Sequence, residues 1–205
     1  MSIVKLSNNG VKNATAFGSI TGLGSMTFIK KLTASSSATL SFVDGASSVV
    51  LDNTYKEYLF TFKDIHGSAD GHFGFNGSID SGSNYNVTKT TTYFQAYHNE
   101  ADNDAGVSYY TDSDLAQGTG FQRLMRHMGA DNDQCGVGML HLFSPSSSTF
   151  VKHFICTTQI YNKDDFSYNA YIAGYFNTTS AIDAIQFKME SGNIDAGDIC
   201  LYGIA

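Results

Sequence analysis

Between Glu57 and Ile65 the chain reads Glu-Tyr-Leu-Phe-Thr-Phe-Lys-Asp-Ile, with Tyr58, Phe60 and Phe62 on every second position. Successive side chains of an extended strand point to opposite faces, so this segment has one aromatic face and one mixed face. Such a pattern predicts a central strand lying on the core of an all-β domain. The end of the chain supplies its expected neighbour or counterpart. Within Ile182–Met189, Ile185, Phe187 and Met189 alternate with Gln186 and Lys188; after a turn over Glu190–Gly197, Asp198–Ile204 is strand-like again.

Further strands are expected over Met26–Leu32, Ala38–Val43, His72–Ser78, Thr90–His98, Val107–Tyr110, Gly136–Phe143, Thr149–Tyr161 and Ser167–Phe176. Segments rich in Gly, Ser, Asn and Asp separate them, as turn chemistry requires. Phe121–Met128 fits a strand or a two-turn helix equally well, because Leu124 and Met128 lie four apart. Strand and helix do not alternate and no repeat of fixed period exists, which excludes parallel α/β sheets, propellers and solenoids. The expected fold is an antiparallel two-sheet, jelly-roll-like β-sandwich formed by a single domain over 26–205.

Residues 1–25 read differently. Ile3, Val4, Leu6, Val11, Phe17 and Ile20 are scattered among Ser, Asn, Thr and Gly with neither strand nor helical period. A frayed terminus is one reading. The other is an extended N-terminal arm whose isolated apolar residues dock into another subunit or a larger assembly.

A net charge of −7 is unsuited to nucleic acid, whose phosphates call for a basic surface. Cys135, Cys156 and Cys200 are widely spaced and odd in number, so they form no disulfide framework and no Cys-x-x-Cys pair. The first ten residues lack the apolar stretch of a secretory signal, and no apolar run is long enough to suggest membrane insertion. The expectation is a soluble protein made in a reducing cytoplasm, able to leave the cell as part of a particle.

Chemistry-bearing motifs are sparse. The six histidines form no His-Glu-x-x-His and no zinc-ligand spacing. Asp102-Asn103-Asp104 and Asp131-Asn132-Asp133 offer oxygen ligands for calcium, but the EF-hand spacing is absent and Asp and Asn are the ordinary residues of turns. No Gly-x-Ser-x-Gly elbow occurs. Neither catalysis nor a metal or cofactor is expected. The tyrosines are the better contact candidates, since the ring can be buried while the hydroxyl stays wet. Tyr85, Tyr109, Tyr110 and Tyr168 are the expected surface contacts.

Three blocks carry a resemblance. They are Val4–Asn13 continuing to Ala34–Phe42, Tyr55–Phe62 followed by Ser81-Gly82-Ser83-Asn84-Tyr85, and Gly192–Gly197 with Leu201-Tyr202-Gly203. Together they resemble tailed-phage virion proteins of the tail-fibre-like kind frequent in marine phages. That resemblance implies a β-sandwich displayed on the particle and localised to the virion after synthesis in the host cytoplasm. It further implies a homo-oligomer, with a trimer as the expected state, and contacts with other virion proteins. Structural or decoration appendage and lectin-like module for a host-surface glycan or receptor are the two function classes it leaves.

Overall fold

The computed structural model describes residues 26–205, so the arm expected at Ile3, Val4, Leu6, Val11, Phe17 and Ile20 lies outside the described residues. Twelve strands follow one another: β1 (Met26–Thr33), β2 (Leu40–Val43), β3 (Glu57–Gly67), β4 (Gly71–Ser78), β5 (Lys89–Asn99), β6 (Ala105–Tyr109), β7 (Gln122–Met128), β8 (Gly136–Phe143), β9 (Lys152–Tyr161), β10 (Phe166–Phe176), β11 (Ala184–Met189) and β12 (Ile194–Ile204). They form two antiparallel sheets, an eight-stranded one in the order β1-β12-β3-β8-β9-β10-β5-β6 and a four-stranded one in the order β2-β11-β4-β7. The protein is an all-β sandwich.

The aromatic strand is β3, and it is central, flanked by β12 and β8. Tyr58, Phe60 and Phe62 all point inward and are buried. They meet the smaller sheet through Phe187 of β11, whose ring lies 5.4 Å from Phe60 and 5.3 Å from Phe62. Phe42 of β2 and Phe73 of β4 close the cluster, mostly edge to face, the geometry that the ring quadrupoles favour. The Ile182–Met189 segment is therefore the counterpart of β3 across the core, and the closing strand is its neighbour. The pairing of β12 also begins earlier than the sequence suggests, at Ile194. A bulge at Gly197, whose φ of +115° suits glycine, lets the chain turn inside what reads as a loop.

Connectivity divides the larger sheet in two. β1 and β2 pair with β12 and β11, while β3 and β4 pair with β8 and β7, so one long antiparallel ribbon is folded across both sheets. The hairpins β5–β6 and β9–β10 then extend only the larger sheet, beyond β8. The inner side of this extension packs partly on β4, with Phe75 5.0 Å from Phe154 and 5.9 Å from Phe176. β7 covers more of it, with Thr158 Oγ1 donating to the Leu124 carbonyl at 2.7 Å and Arg126 5.9 Å from the Tyr93 ring centre, and the 110–121 loop adds Tyr110 against Tyr93. Phe121–Met128 resolves as a strand, β7 from Gln122 onward, with register shifts against β4 and a left-handed His127 at φ +51°. Val49–Leu51 is an apolar run outside any strand.

Candidate functional site

The outward sides of the two sheets are the candidates, and they differ in kind. On the smaller sheet, strand alternation places His72 and Gly74 of β4, Arg123 of β7 and Lys188 of β11 away from the core, with Glu190 just beyond β11. The 110–121 loop rises beside them and encloses a cleft of about 480 Å³. Arg123 lies at its centre. One guanidinium nitrogen donates to Glu190 at 3.2 Å, and another donates to the backbone oxygen of Asp112 at 2.9 Å. Arg126, stacked 3.9 Å from the ring centre of Tyr110, donates to the Asp112 carboxylate at 2.9 Å. Burial pushes that carboxyl up, but Arg126, the Ser113 hydroxyl and Arg123 together hold it below the ordinary aspartate range.

His72 forms part of the wall. Its Nδ1 accepts the backbone N–H of His127 at 3.0 Å, which puts the proton of the neutral ring on Nε2, 3.5 Å from Glu190. Burial, reinforced by Arg123, lowers its pKa to about 4, so the ring is neutral near pH 7. Phe121 supplies an apolar wall, with the Lys188 ammonium 4.4 Å from its ring centre. Gly74 keeps the floor open: a Cβ there would come within 2.7 Å of the Gln122 carbonyl oxygen, so β4 and β7 need glycine to approach this closely.

What fixes the loop is a buried polar staple. Lys89 is fully buried and donates to Asn76 Oδ1 at 2.6 Å and to the Val87 carbonyl at 2.8 Å. Asn76 in turn donates to the carbonyls of Tyr85, Thr119 and Gly120. Gln122 and Thr91 hold Ser113 and Leu115 in the same way. Burial without an acidic partner lowers the Lys89 pKa to about 7. Sequence reading missed these residues because isolated Lys, Asn and Gln in a strand pattern look solvent-facing.

The outward side of the larger sheet carries most of the exposed large apolar side chains, interspersed with uncharged polar ones. Eleven large apolar side chains are exposed among the described residues, and all but Ile79 and Phe150 lie on this face. Register aligns Met139, Thr157, Tyr171, Phe94 and Tyr109 in one row across β8, β9, β10, β5 and β6. The rings of Phe94 and Tyr171 stack at 5.1 Å. At the far edge Phe28 meets Tyr202 at 5.6 Å. From β8 to β6 no outward position carries Lys, Arg, Asp or Glu; the charges collect near β1 and β12, where Lys31 pairs with Asp198.

The four expected contact tyrosines are not brought together. Tyr109 is exposed on the apolar face, its hydroxyl donating to Asp114 of the cleft loop at 2.5 Å. Tyr110 and Tyr168 are half-buried against the core rather than free for contact. Tyr85 is half-buried too, its hydroxyl close over Gly82. Both sets of aspartate-rich turns are closed by their own bonds: Asn99 Oδ1 accepts from the backbone of Asn103 and Asp104, and Asp131 O from Gln134 N. Among the described residues no group of three or more His, Cys, Asp or Glu side chains is placed to hold a metal ion. No described helix is long and apolar enough to cross a membrane. No protein-family model matches the chain, and neither a curated protein nor a solved structure does.

Proposed function

We propose that the chain is a phage virion structural protein, a tail-fibre-like or particle-surface module that assembles with copies of itself and serves host attachment. We read its folded ribbon of eight strands as a jelly-roll core and the four added strands as a wing that widens one sheet. The observation that carries the reading is the uncharged apolar face on that widened sheet. Its uncharged β8–β6 half carries seven of the nine half-exposed large side chains, at roughly 100 Å² each about 700 Å², close to the roughly 800 Å² that each partner buries in a standard interface. Single exposed apolar residues are ordinary, but a continuous apolar sheet face on a monomer is not.

The occupant is a second copy of this chain. Two molecules of net charge −7 repel wherever their acids face each other, and the β8–β6 half of this face has none. The face is roughly 34 Å wide at about 4.8 Å per strand spacing. Its two aromatic ends, Phe28 with Tyr202 and Phe94 with Tyr171, can each meet the opposite end of a neighbour. A head-to-tail contact gives a ring when its rotation closes and a filament when it does not, and a closed trimer is the proposed state. A hollow among Thr92, His153, Ile155, Ala173 and Tyr175 can seat a protruding side chain.

Sedimentation velocity at micromolar concentration tests the reading. The wild-type chain is expected as a trimer, and Met139→Lys or Ile155→Lys as a folded monomer. A wild-type monomer, or a trimer indifferent to both lysines, defeats this surface assignment. Imaging of labelled particles tests the virion assignment separately.

A further inference from the structure

We infer that the cleft on the smaller sheet, centred on Arg123 and walled by Phe121, is a binding site for a neutral saccharide. The inference goes beyond self-assembly, because the cleft opens from the sheet opposite the apolar face and none of its lining residues lies on that face, the Tyr109–Asp114 hydrogen bond being the contact between them. Its volume of about 480 Å³ falls within the range of small-molecule sites. The shape is held before any ligand arrives, since the staple through Lys89, Asn76 and Gln122 fixes the loop that forms one wall. A preformed site spares the ligand the cost of ordering that loop.

The choice of ligand class follows from the charges. Asp112, Asp114 and Glu190 contribute three carboxylates, against the two cations Arg123 and Lys188. Arg123 already lies between Asp112 and Glu190, and Lys188, which has no carboxylate partner among the described residues, lies over the Phe121 ring. With three carboxylates against two cations the cleft has no net positive charge to attract phosphate, sulfate or a sialic acid. The carboxylates are likewise engaged, Asp114 by the Tyr109 hydroxyl and the other two by guanidinium groups, which disfavours a cationic ligand. What remains is an array of donors and acceptors side by side.

A sugar hydroxyl both donates and accepts, so it can receive a hydrogen bond from Arg123 or Lys188 while giving one to the neighbouring carboxylate. Vicinal hydroxyls repeat that function at the spacing of adjacent polar groups. The apolar C–H face of a pyranose ring then has Phe121 and Leu115 to lie against. Neutral polyols fit this combination better than either ionic class. Glycan binding at this site also gives an exposed module something to hold on a cell surface.

The full-length protein, probed on a printed array of neutral, sialylated and sulfated glycans, tests the assignment. Neutral glycans are expected to give the signal, and the best of them is then titrated by calorimetry. Phe121→Ala and Lys188→Ala should each weaken binding at least tenfold while the melting temperature and sedimentation behaviour stay unchanged. Asp114→Asn provides a second, loop-borne variant expected to weaken binding equally if Phe121→Ala alters folding; because Asp114 accepts from Tyr109 of the apolar face, its sedimentation is read beside that of Tyr109→Phe. An array silent for neutral glycans overturns the proposal. So does preference for sialylated or sulfated glycans, or saccharide binding that survives all three substitutions. Self-assembly is read independently by sedimentation, so failure of one proposal leaves the other standing.

Discussion

On the larger sheet the outward positions carry Met139, Ile155, Tyr171 and Phe94, whereas on the smaller they carry His72, Arg123 and Lys188. Both sets obey the same strand alternation, and both sheets turn an aromatic layer inward. Alternation therefore says which residues share a face and leaves open which face is wet. The inner faces of β3 and β11 and the outer face of the wing are both rich in large apolar side chains. Only the first pair is covered within one chain. The difference lies in where a second layer is available: the smaller sheet and the 110–121 loop cover the inner side of the larger sheet, and among the described residues no layer lies on its outer side.

Substitution on the covered side should give the largest effect. Phe60→Ala or Phe187→Ala removes a fully buried ring from the inter-sheet cluster, and a loss of roughly 3–5 kcal/mol is expected in chemical denaturation. The matching truncations outside, Ile155→Ala and Tyr171→Ala, should change monomer stability by no more than about 0.5 kcal/mol. If the outer pair costs as much as the inner pair, the contrast between covered and uncovered faces is wrong.

The central strand was legible because Tyr58, Phe60 and Phe62 alternate without interruption. The same rule held for most strands and turns. It gave no decision at Phe121–Met128, where the bulged pairing with β4 and the left-handed His127 break the period that would have excluded a helix. The cleft was not legible at all. Its side chains come from β4, β7, β11 and the 110–121 loop, and only the strand order β11-β4-β7 places them together. Polar residues that face inward, such as Lys89, Thr91 and Gln95, carry no sequence mark that separates them from outward ones.

The next effect in size concerns the staple beneath the cleft. Asn76→Ala leaves Lys89 without one acceptor and strips a donor from three carbonyls. A buried polar group left unsatisfied costs about 1–3 kcal/mol, so the denaturation midpoint should fall by a corresponding amount. Hydrogen exchange should then rise at the amides of Leu115 and Gly118, both now hydrogen-bonded to β5. Unchanged exchange there would detach the staple from the cleft loop and weaken the idea of a preformed site.

Titration separates the faces in a gentler way, because the perturbed bases lie under or beside the cleft. The pKa of Lys89 is about 7 when folded, below its ordinary 10.5. Between those values the unfolded chain binds the extra proton, so stability should rise with pH from about 7 towards 10. His72, near 4 when folded against an ordinary 6.5, acts in the same direction at lower pH: stability falls as pH drops from 6.5 towards 4. Above pH 10 the sign reverses, since buried Tyr58 keeps its proton to about 12 while the unfolded tyrosine loses its own. Denaturation midpoints measured from pH 4 to 11 should therefore peak near pH 10. Lys89→Met should flatten the rise above pH 7, and a slope unaffected by that change would place its origin elsewhere.

The smallest expected effect comes from removing residues 1–25. The apolar residues of that segment are too widely scattered to make a sheet face. A chain starting at Met26 should thus melt within about a degree of the full-length protein, a difference of no more than a few tenths of a kcal/mol. Its sedimentation should also be unchanged if the apolar wing is what joins copies to one another. If the segment containing Ile3, Leu6 and Phe17 is the docking arm rather than a frayed terminus, incorporation into virions should be lost. Loss of the trimer on truncation would move self-association from the sheet face to that segment. Retained incorporation would assign particle attachment to the folded domain instead, leaving the apolar face and the cleft side to be separated by lysine scanning.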